Sequence, residues 1–297
     1  MTSPVLFHLD ENTVLGKKIH KQLGCEMGKW ELRNFPDGET YLRILSQVED
    51  KTIVLVASLN QPDEKILRLL FFSQALRESG AKKIVLVAPY LAYMRQDKAF
   101  HEGEVITSRY FARIICQYFD ALVTVDPHLH RYHALSEIYT IPCRVVHAAS
   151  SMAAWIRAHV PQALLIGPDS ESQQWVREVA QQAAVPYTIL EKIRHGDEKV
   201  QVSIPQIEEW KDRSAVLVDD IISTGHTMLE SIQQLKKLGV KRIYCIGVHA
   251  IFAGEAYNLF LKSGIEQVLT CNAIEHSSNK IDLSPEIAKS LGKLFGS

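Results

Sequence analysis

The stretch VLVDDIISTGHTM, residues 216–228, decides the fold of this chain. It opens on the apolar run Val216-Leu217-Val218, continues into the adjacent carboxylates Asp219 and Asp220, and reaches the small polar turn Ser223-Thr224-Gly225. A continuously apolar run is typical of a strand that is buried on both faces, as the strands of parallel sheets are. The stretch therefore predicts a central parallel strand that ends in acidic groups and a polar turn.

The residues after the turn predict a helix. From Thr227 onward apolar residues recur at helical spacing, and Gly239 is a typical residue for the helix to end on. These apolar positions are Met228, Ile232, Leu235 and Leu238. The turn thus presents backbone N–H groups and hydroxyls at a helix start, where phosphates bind readily. The two carboxylates could reach sugar hydroxyls or a hydrated cation, and a strand end merely capped by Asp and Ser is the open alternative.

Length and composition bound the class of protein. A chain of 297 residues typically forms two domains of about 100 to 150 residues each. Lys and Arg number 33 against 34 Asp and Glu, so we expect neither nucleic acid nor an anionic membrane as a partner. We find no signal-peptide pattern at the start and no apolar run of about 20 residues. Five scattered cysteines, never spaced Cys-x-x-Cys, indicate reduced thiols and a cytoplasmic protein.

Buried strands alternate with helical segments along the chain. Ahead of them, alternating runs on either side of Pro36-Asp37-Gly38 predict a hairpin or a tight bend between two strands. The predicted strands cover residues 52–59, 83–90, 121–128, 163–170, 187–194, 215–222 and 242–250, and the predicted helices cover 63–80, 108–119, 150–158, 172–183 and 285–295. This alternation predicts an α/β fold with mostly parallel sheets flanked by helices. The pattern repeats after a boundary near residues 145–150, which gives domains 1–147 and 148–297, with the final helix free to pack on the first.

Polar groups follow the predicted strands, at the edge of an α/β sheet where ligands bind. They are Arg95, Gln96, Asp97, Asp126, His128, Asp169, Lys192, Arg194, Asp219 and Asp220. Singly, each is more often a solvated loop residue, but their shared edge favours a binding site. Both signs of charge are present, as phosphates and Mg²⁺ require together. The sequence has neither a GxxxxGK[ST] loop nor a GxGxxG motif after a strand, so a nucleotide is held in another way.

The histidines of PHLHRYH, His128, His130 and His133, permit a second interpretation. Residues i and i+2 of an extended segment share a face, so two of them could bind a transition metal. The Cys or Glu residues that would complete a zinc site are missing nearby. A hydrogen-bonding or Mg²⁺-linked role for His128 is therefore favoured over zinc.

Six motifs carry a resemblance to a known family over nearly the full length of the chain. They are FPDGE (35–39), PYLAYMRQDK (89–98), EVITSRYFARII (104–115), VDPH (125–128), GPD (167–169) and VLVDDIISTGHT (216–227). In order and spacing the chain resembles the ribose-phosphate pyrophosphokinases, also called phosphoribosyl pyrophosphate synthetases. The resemblance implies two phosphoribosyltransferase-like domains. It also implies Mg²⁺-dependent transfer of the diphosphoryl group of ATP to the C1 hydroxyl of ribose 5-phosphate, releasing AMP.

The resemblance also assigns roles to individual residues. It makes Lys192 and Arg194 the catalytic cations of a mobile loop. It implies that ATP is bound by Phe35, Asp37, Glu39, Arg95, Gln96, Asp97 and His128. The first three of these lie beside the adenine, often across a subunit interface, so the resemblance also implies a homo-oligomer. Residues near the metal ion are His128 and Asp169. Ribose 5-phosphate-binding residues are Asp219 and Asp220 at the sugar and Ser223, Thr224, Gly225, His226 and Thr227 at the 5-phosphate.

The chain departs from the family in three places. Ser170-Glu171-Ser172 follow GPD where small, glycine-containing residues are usual, and KAFHEGE follows RQD where the commonest bacterial form is very basic. The catalytic loop is also shorter, with Asp197 and Glu198 in it. Two other functions remain open on the same fold: a phosphoribosyltransferase that consumes phosphoribosyl pyrophosphate, and a non-catalytic regulatory relative. FPDGE and RQDK have no role in the first, and a relative of the second kind would be expected to have lost the loop cations.

Overall fold

The computed structural model describes residues 3–9, 13–129, 131–168, 172–195, 199–203, 210 and 212–296, without the side chains of residues 13, 191–195 and 199–203. The chain divides into two compact units, one of residues 1–146 with 284–297 and one of residues 147–283. Each unit has its own sheet and core, as expected for two domains.

The first unit is built on a six-stranded parallel sheet. Its elements are β1 (Val5–His8), α1 (Thr13–Leu23), β2 (Glu26–Met27), β3 (Trp30–Asn34), β4 (Thr40–Ile44), β5 (Thr52–Val56), α2 (Pro62–Glu78), β6 (Lys83–Ala88), α3 (Thr107–Tyr118), β7 (Ala121–Val125) and β8 (Cys143–Val146), with a 3₁₀ turn at Leu135–Glu137. The strand order is β2-β1-β5-β6-β7-β8, and each neighbouring pair is parallel. β3 and β4 form the predicted antiparallel hairpin outside this sheet.

The second unit repeats the architecture. Its elements are α4 (Ala149–His159), β9 (Ala163–Gly167), α5 (Gln173–Ala183), β10 (Tyr187–Ile189), β11 (Glu191–His195), β12 (Lys199–Ser203), β13 (Ser214–Ile222), α6 (His226–Lys237), β14 (Arg242–Ala250), α7 (Ala256–Lys262), β15 (Gln267–Cys271) and β16 (Asn279–Ile281). The six-stranded parallel sheet has the order β10-β9-β13-β14-β15-β16. The last helix, α8 (Ser284–Phe295), belongs to the first unit, where it packs on α1. The predicted α/β class is confirmed.

Burial explains why these sequences form parallel strands. The side chains of β6 from Ile84 to Ala88 are fully buried, as are those of β9 from Leu165 to Ile166. Helices cover both faces of such a sheet, so an alternating pattern would bury polar groups and a continuous apolar run is required instead. Within the described residues, no helix is long and apolar enough to cross a membrane.

One predicted strand is wrong. We expected a single strand over residues 187–194, but the parallel strand β10 ends at Ile189, and β11 begins a separate antiparallel ribbon with β12. Leu190 makes the last bond to the sheet, donating its N–H to the carbonyl of Gly167 at 2.9 Å. Beyond it, the run from Glu191 to His195 holds one apolar residue, Ile193, among charged and ionisable ones, so it is not suited to a strand that is covered on both faces. The residues Lys192 and Arg194 thus lie on a β-ribbon.

Candidate functional site

The carboxyl end of β13 lies at a change of direction in the strand order of the second unit. From β9 the chain crosses to β10 on one side, whereas from β13 it crosses to β14 on the other. Open α/β sheets bind ligands in the crevice that such a switch creates. The pairing of β13 with β9 ends at Leu217 opposite Ile166, while the pairing with β14 continues to Ile222. From Asp219 onward, β13 therefore keeps β14 as its neighbour on one side and borders a crevice on the side of β9.

The two carboxylates of this strand end are half-buried. The backbone N–H of Asp220 donates to Oδ1 of Asp219 at 2.9 Å, which fixes the first carboxylate close to the main chain. Successive residues of a strand point to opposite faces, so Asp219 and Asp220 project to different sides of β13. The pair can therefore serve two different hydroxyls or cations.

The turn after β13 leads directly into α6. Gly225 is the residue before the helix, with φ of 72°, and no side chain in the described part of the chain caps the helix start. Thr224 and His226 are exposed, whereas Ser223 and Thr227 are half-buried. The first N–H groups of a helix have no partner within the helix and carry the positive end of its dipole. The turn therefore offers backbone donors and hydroxyls to an anion.

The turn after β13 is held in place by a close contact between Gly225 and Phe260. A Cβ added at Gly225 would lie 2.5 Å from the ring of Phe260, so only glycine fits there. The loop after β14 adds two backbone bonds, from the N–H of Phe252 to the carbonyl of Ile222 at 2.8 Å and from Ala253 to Ser223 at 3.2 Å. The ring of Phe252 packs in turn against that of His276, with centroids 4.7 Å apart. The turn is thus held by its neighbours before any ligand binds.

Four of the residues that the resemblance assigns to ATP, Arg95, Gln96, Asp97 and His128, follow the adjacent strands β6 and β7 of the first unit. Asp97 is buried, and its Oδ1 accepts a hydrogen bond from Nη1 of Arg131 at 2.8 Å. The hydroxyl of Tyr132 lies 3.4 Å from the carbonyl oxygen of Asp97 and 3.2 Å from Oγ of Ser108. Side chains after β7 thus tie down the loop after β6. Arg95 is exposed and Gln96 is half-buried, so both are accessible to a ligand.

His128 is half-buried in the loop after β7. Just before it, Asp126 has a positive φ of 31° and donates its N–H to the carbonyl of Val146, so the chain turns sharply at the strand end. His130 and Asp169 lie outside the described residues, so the predicted metal pair of His128 and Asp169 is not tested. Among the described residues, no three His, Cys, Asp or Glu side chains form a metal-binding group.

The FPDGE hairpin tip presents an aromatic ring to solvent. The side chain of Phe35 is 41% exposed, and the guanidinium of Arg33 lies 5.1 Å from its ring centroid. The tip is closed by its own backbone, since Phe35 donates to the carbonyl of Glu39 at 2.7 Å and Glu39 donates to Oδ1 of Asp37 at 3.2 Å. A rigid tip with an exposed ring is suited to stacking on a planar base.

The predicted catalytic cations lie on β11. The register places Lys192 opposite Val202 and Arg194 opposite Val200, and residues two apart on a strand share a face. Positions 192 and 194 therefore belong to the same face of the ribbon. Their side chains lie outside the described part of the structure.

Sequence reasoning missed Arg131, Tyr132 and Ser108. Arg131 is 34 residues from Asp97, and Tyr132 is 24 residues from Ser108. No local period or motif links residues at such separations, so the sequence holds no signal for these contacts. Only the adjacency of β6 and β7 could have indicated that the loops after them meet.

An apolar groove of about 380 Å³ lies between α2 and α3 of the first unit. Its walls include Ile66, Leu67, Leu70, Tyr110 and Ile114, of which Leu67 is 58% and Tyr110 51% exposed. Exposed apolar surface of this kind is typical of contacts with another protein. The groove lies on the helix that also carries Arg68, whose guanidinium donates to Asn34 of the hairpin at 3.0 Å.

Comparisons with known proteins agree with these features. A model of the N-terminal domain of ribose phosphate pyrophosphokinase matches residues 4–118, and a model of the phosphoribosyl transferase domain matches residues 135–285. The ribose-phosphate pyrophosphokinase of Methanopyrus kandleri is 32% identical over 295 residues, which cover 98% of this chain and 100% of that protein. The one from Thermococcus kodakarensis is 32% identical over 280 residues, covering 92% and 97%.

A solved structure shows the same fold. The crystal structure of phosphoribosylpyrophosphate synthetase from Mycobacterium smegmatis matches with a TM-score of 0.85 and covers 99% of each chain. Its sequence is only 21% identical, so the likeness is one of architecture.

Proposed function

The chain belongs to the ribose-phosphate pyrophosphokinase family, and from this premise we propose which of its residues bind and convert the substrates. The enzyme transfers the diphosphoryl group of ATP to the C1 hydroxyl of ribose 5-phosphate and forms 5-phosphoribosyl 1-pyrophosphate and AMP. The observation that supports the sugar phosphate site best is the strand end Asp219-Asp220 at the switch point, followed by a helix start that no described side chain caps.

Ribose 5-phosphate binds at the end of β13 in our proposal. Its 5-phosphate accepts hydrogen bonds from the N–H groups of residues 225–228 and from the hydroxyls of Ser223, Thr224 and Thr227. The half-buried Asp219 and Asp220 accept hydrogen bonds from the ribose hydroxyls. Backbone donors at a helix start need no reorganisation on binding, which suits a site that must recognise an anion in one orientation.

ATP binds to the first unit. Arg95 and Gln96, with His128 in the adjacent loop, lie at the carboxyl ends of β6 and β7, and Phe35, Asp37 and Glu39 at the hairpin tip bind the adenine. An exposed ring stacks on a purine, and hydrogen-bond acceptors near it select the exocyclic amino group.

Transfer proceeds by attack of the C1 oxygen on the β-phosphorus. The new bond joins the C1 oxygen to the β-phosphorus, and the bond from that phosphorus to the α–β bridging oxygen breaks. AMP leaves with the bridging oxygen, and the proton of the C1 hydroxyl passes to water. Lys192 and Arg194 neutralise the charge that develops on the phosphoryl oxygens. Phosphoryl transfer requires mainly positioning and charge neutralisation, so no protein nucleophile is needed.

Magnesium fits the donor chemistry that we propose. In phosphoryl-transfer sites Mg²⁺ is usually held by one or two carboxylates together with substrate phosphates and waters, so it needs no cage made of protein alone. We place it beside His128 and Asp169, where it would neutralise charge on the diphosphoryl group. Chelation with EDTA should abolish turnover, and added Mg²⁺ should restore it.

We also propose a homo-oligomer with the ATP site near a subunit interface. The exposed Phe35 ring and the apolar groove between α2 and α3 support this, because such surfaces are usually covered in an assembly. Light scattering on the purified protein should give at least twice the mass of one chain.

We propose the cytoplasm as the compartment of the protein, because its cysteines are scattered and free.

A phosphorus NMR time course tests the function. Incubation with ATP, ribose 5-phosphate and Mg²⁺ should yield AMP and phosphoribosyl pyrophosphate in equal amounts. Formation of ADP, or no turnover, would contradict the proposal. Pyrophosphate release that depends on an added nucleobase and phosphoribosyl pyrophosphate would instead identify a phosphoribosyltransferase.

A further inference from the structure

Asp97 is assigned to ATP by the resemblance, yet its carboxylate is not accessible. The side chain is 2% exposed. Its Oδ1 is bonded to Nη1 of Arg131 at 2.8 Å, and its Oδ2 is buried without a hydrogen-bond partner among the described residues. A carboxylate in this position cannot reach a ligand without first leaving its pocket and its partner.

Arg131 has the opposite exposure. Its side chain is 40% exposed although one N–H group is bonded to the buried Asp97. A guanidinium has five N–H donors in a fixed plane, so four remain after that single bond. Arg131 therefore presents fixed donors to the surface from which Asp97 is excluded.

An aromatic ring holds the guanidinium on another side. The centre of the Arg131 guanidinium lies 5.3 Å from the ring centroid of Phe100, and Nζ of Lys98 lies 4.4 Å from the same centroid. The loop that carries Phe100 is itself closed by Glu104, whose Oε2 accepts the N–H of Phe100 at 2.7 Å. Phe100 and Asp97 thus orient Arg131 before a ligand binds, and Lys98 adds a second positive charge beside it.

We propose that Arg131 is the residue that contacts the polyphosphate of the nucleotide, and that Asp97 is the positioning residue that holds it. Planar, prealigned guanidinium donors suit phosphate oxygens, whereas a carboxylate repels them. The loops after β6 and β7 meet through this ion pair, which places Arg131 beside the residues that we assign to ATP. The inference rests on the proposed function, because it takes ATP as the ligand of these loops.

A rival explanation is that Arg131 merely neutralises Asp97. Removal of Arg131 alone would then weaken nucleotide binding by leaving a bare buried carboxylate near the phosphates. The two explanations separate in a variant that removes both charges. If Arg131 touches the nucleotide, the loss of nucleotide affinity persists when Asp97 is also made neutral. If Arg131 only neutralises Asp97, the double change restores nucleotide binding.

The experiment is calorimetric titration of the full-length protein with α,β-methylene-ATP in the presence of Mg²⁺. Arg131→Met should weaken binding about 10- to 100-fold, the effect of losing hydrogen bonds to a charged group. The double variant Asp97→Asn with Arg131→Met should stay within about threefold of Arg131→Met. Ribose 5-phosphate, titrated separately, should bind each variant as it binds the wild type, since its proposed site lies in the other unit.

Arg113→Met is the matched control, because Arg113 is an exposed arginine on α3. Its affinity for the analogue should equal that of the wild type. The inference is overturned if Arg131→Met binds the analogue normally, or if the double variant regains wild-type affinity. If Arg131→Met does not fold, the double variant still decides, since no uncompensated charge is buried in it.

Failure of this inference is distinguishable from failure of the proposed function. A wild-type protein that forms AMP and phosphoribosyl pyrophosphate while the Arg131 variants bind the analogue normally would refute only the role of Arg131. A wild-type protein that does not bind the analogue would refute the assignment of ATP itself.

Discussion

The segments β5–α2 and β13–α6 occupy the same place in the two sheets but differ in chemistry. Each strand is third in its sheet order, lies next to the switch point, and leads through a short turn into a helix. After β13 the helix starts at a glycine with no acidic residue in its first turn. After β5 the helix starts with proline, and Asp63 and Glu64 lie in its first turn.

A side chain of α2 binds the turn that precedes the helix. Nζ of Lys65 donates to the carbonyl of Ser58 at 2.9 Å and to Oδ1 of Asn60 at 3.0 Å, both in the turn after β5. Proline has no N–H to offer, and two carboxylates at a helix start repel a phosphate. The same topology is therefore compatible with the anion site that we propose in one unit, whereas the residues of the corresponding turn disfavour such a site in the other. A switch point alone does not make a phosphate site, because the residues of the turn decide it.

The units also differ in how their proposed ligand sites are built. The proposed sugar phosphate site is one continuous strand, turn and helix, so backbone groups dominate it. The proposed nucleotide site joins two loops through side chains such as Arg131 and Tyr132. We therefore expect backbone changes to impair the first and side-chain changes to impair the second.

The largest expected effect concerns the cations of β11. Lys192→Ala should lower kcat about 10²- to 10³-fold, because it removes a charge that acts mainly in the transition state. Affinity for α,β-methylene-ATP should stay near that of the wild type, as calorimetry can show. A large loss of nucleotide affinity would contradict the division of ligands between the two units, since it would show that the second unit also binds ATP. Unchanged turnover would remove Lys192 from the catalytic assignment.

The second-largest effect tests the proposed sugar phosphate site, which is built mainly from backbone groups. Gly225→Ala should lower kcat/KM for ribose 5-phosphate about 10- to 100-fold, because the new Cβ collides with Phe260 and displaces the turn. Gly239→Ala is the matched control at the other end of α6. It also has a positive φ, 86° against 72°, but its Cβ would meet nothing within 4 Å. Equal losses of activity in the two variants would show that crowding at the turn is irrelevant.

A smaller effect tests the proposed nucleotide site, which is built mainly from side chains. Tyr132→Phe removes the hydroxyl that lies between Ser108 and the backbone of Asp97. Loss of one or two neutral hydrogen bonds should weaken binding of the ATP analogue about three- to tenfold and leave ribose 5-phosphate binding unchanged. Calorimetric titration of both ligands measures the two effects on one sample. A selective loss of ribose 5-phosphate affinity would reverse the assignment of the two units.

The smallest effect concerns the pH dependence of stability that His276 contributes. The ring of His276 packs against Phe252, next to the turn of the proposed sugar phosphate site. Burial lowers the pKa of His276 below its ordinary value of 6.5. The folded state then binds fewer protons than the unfolded state, so this contribution to stability is complete above pH 6.5 and is lost as the pH falls through the lowered pKa. Protonation of Nδ1 would also remove an acceptor from the N–H of Ser278, 3.2 Å away.

Thermal denaturation between pH 5 and 7 measures this dependence. The melting temperature of the wild type should fall toward acid pH more steeply than that of His276→Gln. Parallel curves for the two proteins would show that His276 does not contribute.

The sequence was informative where structure follows from local pattern. The apolar run from Val216 to Val218, the turn Ser223-Thr224-Gly225 and the helix after it could all be predicted, because strand, turn and helix are contiguous. The fold class followed from the alternation of such segments. The break at Leu190 could not be predicted, since a short apolar run ahead of a charged one has no marker for where the sheet ends.

The proposed nucleotide site was only partly predictable. Motifs led us to propose Arg95, Gln96 and His128, but the bond between Arg131 and the buried Asp97 depends on two loops that meet only after β6 and β7 pair. A pattern of residue types does not state which side chain of a motif faces the ligand. Tertiary packing sets that orientation.

Hydrogen exchange of the wild-type protein, read by mass spectrometry with each ligand alone, tests the central claim most directly. It reports on backbone N–H groups, which are the donors that we assign to the 5-phosphate. Ribose 5-phosphate should slow exchange in residues 224–229 and leave the loops 95–98 and 128–133 unchanged. Protection of those two loops by ribose 5-phosphate, with residues 224–229 unaffected, would contradict the account.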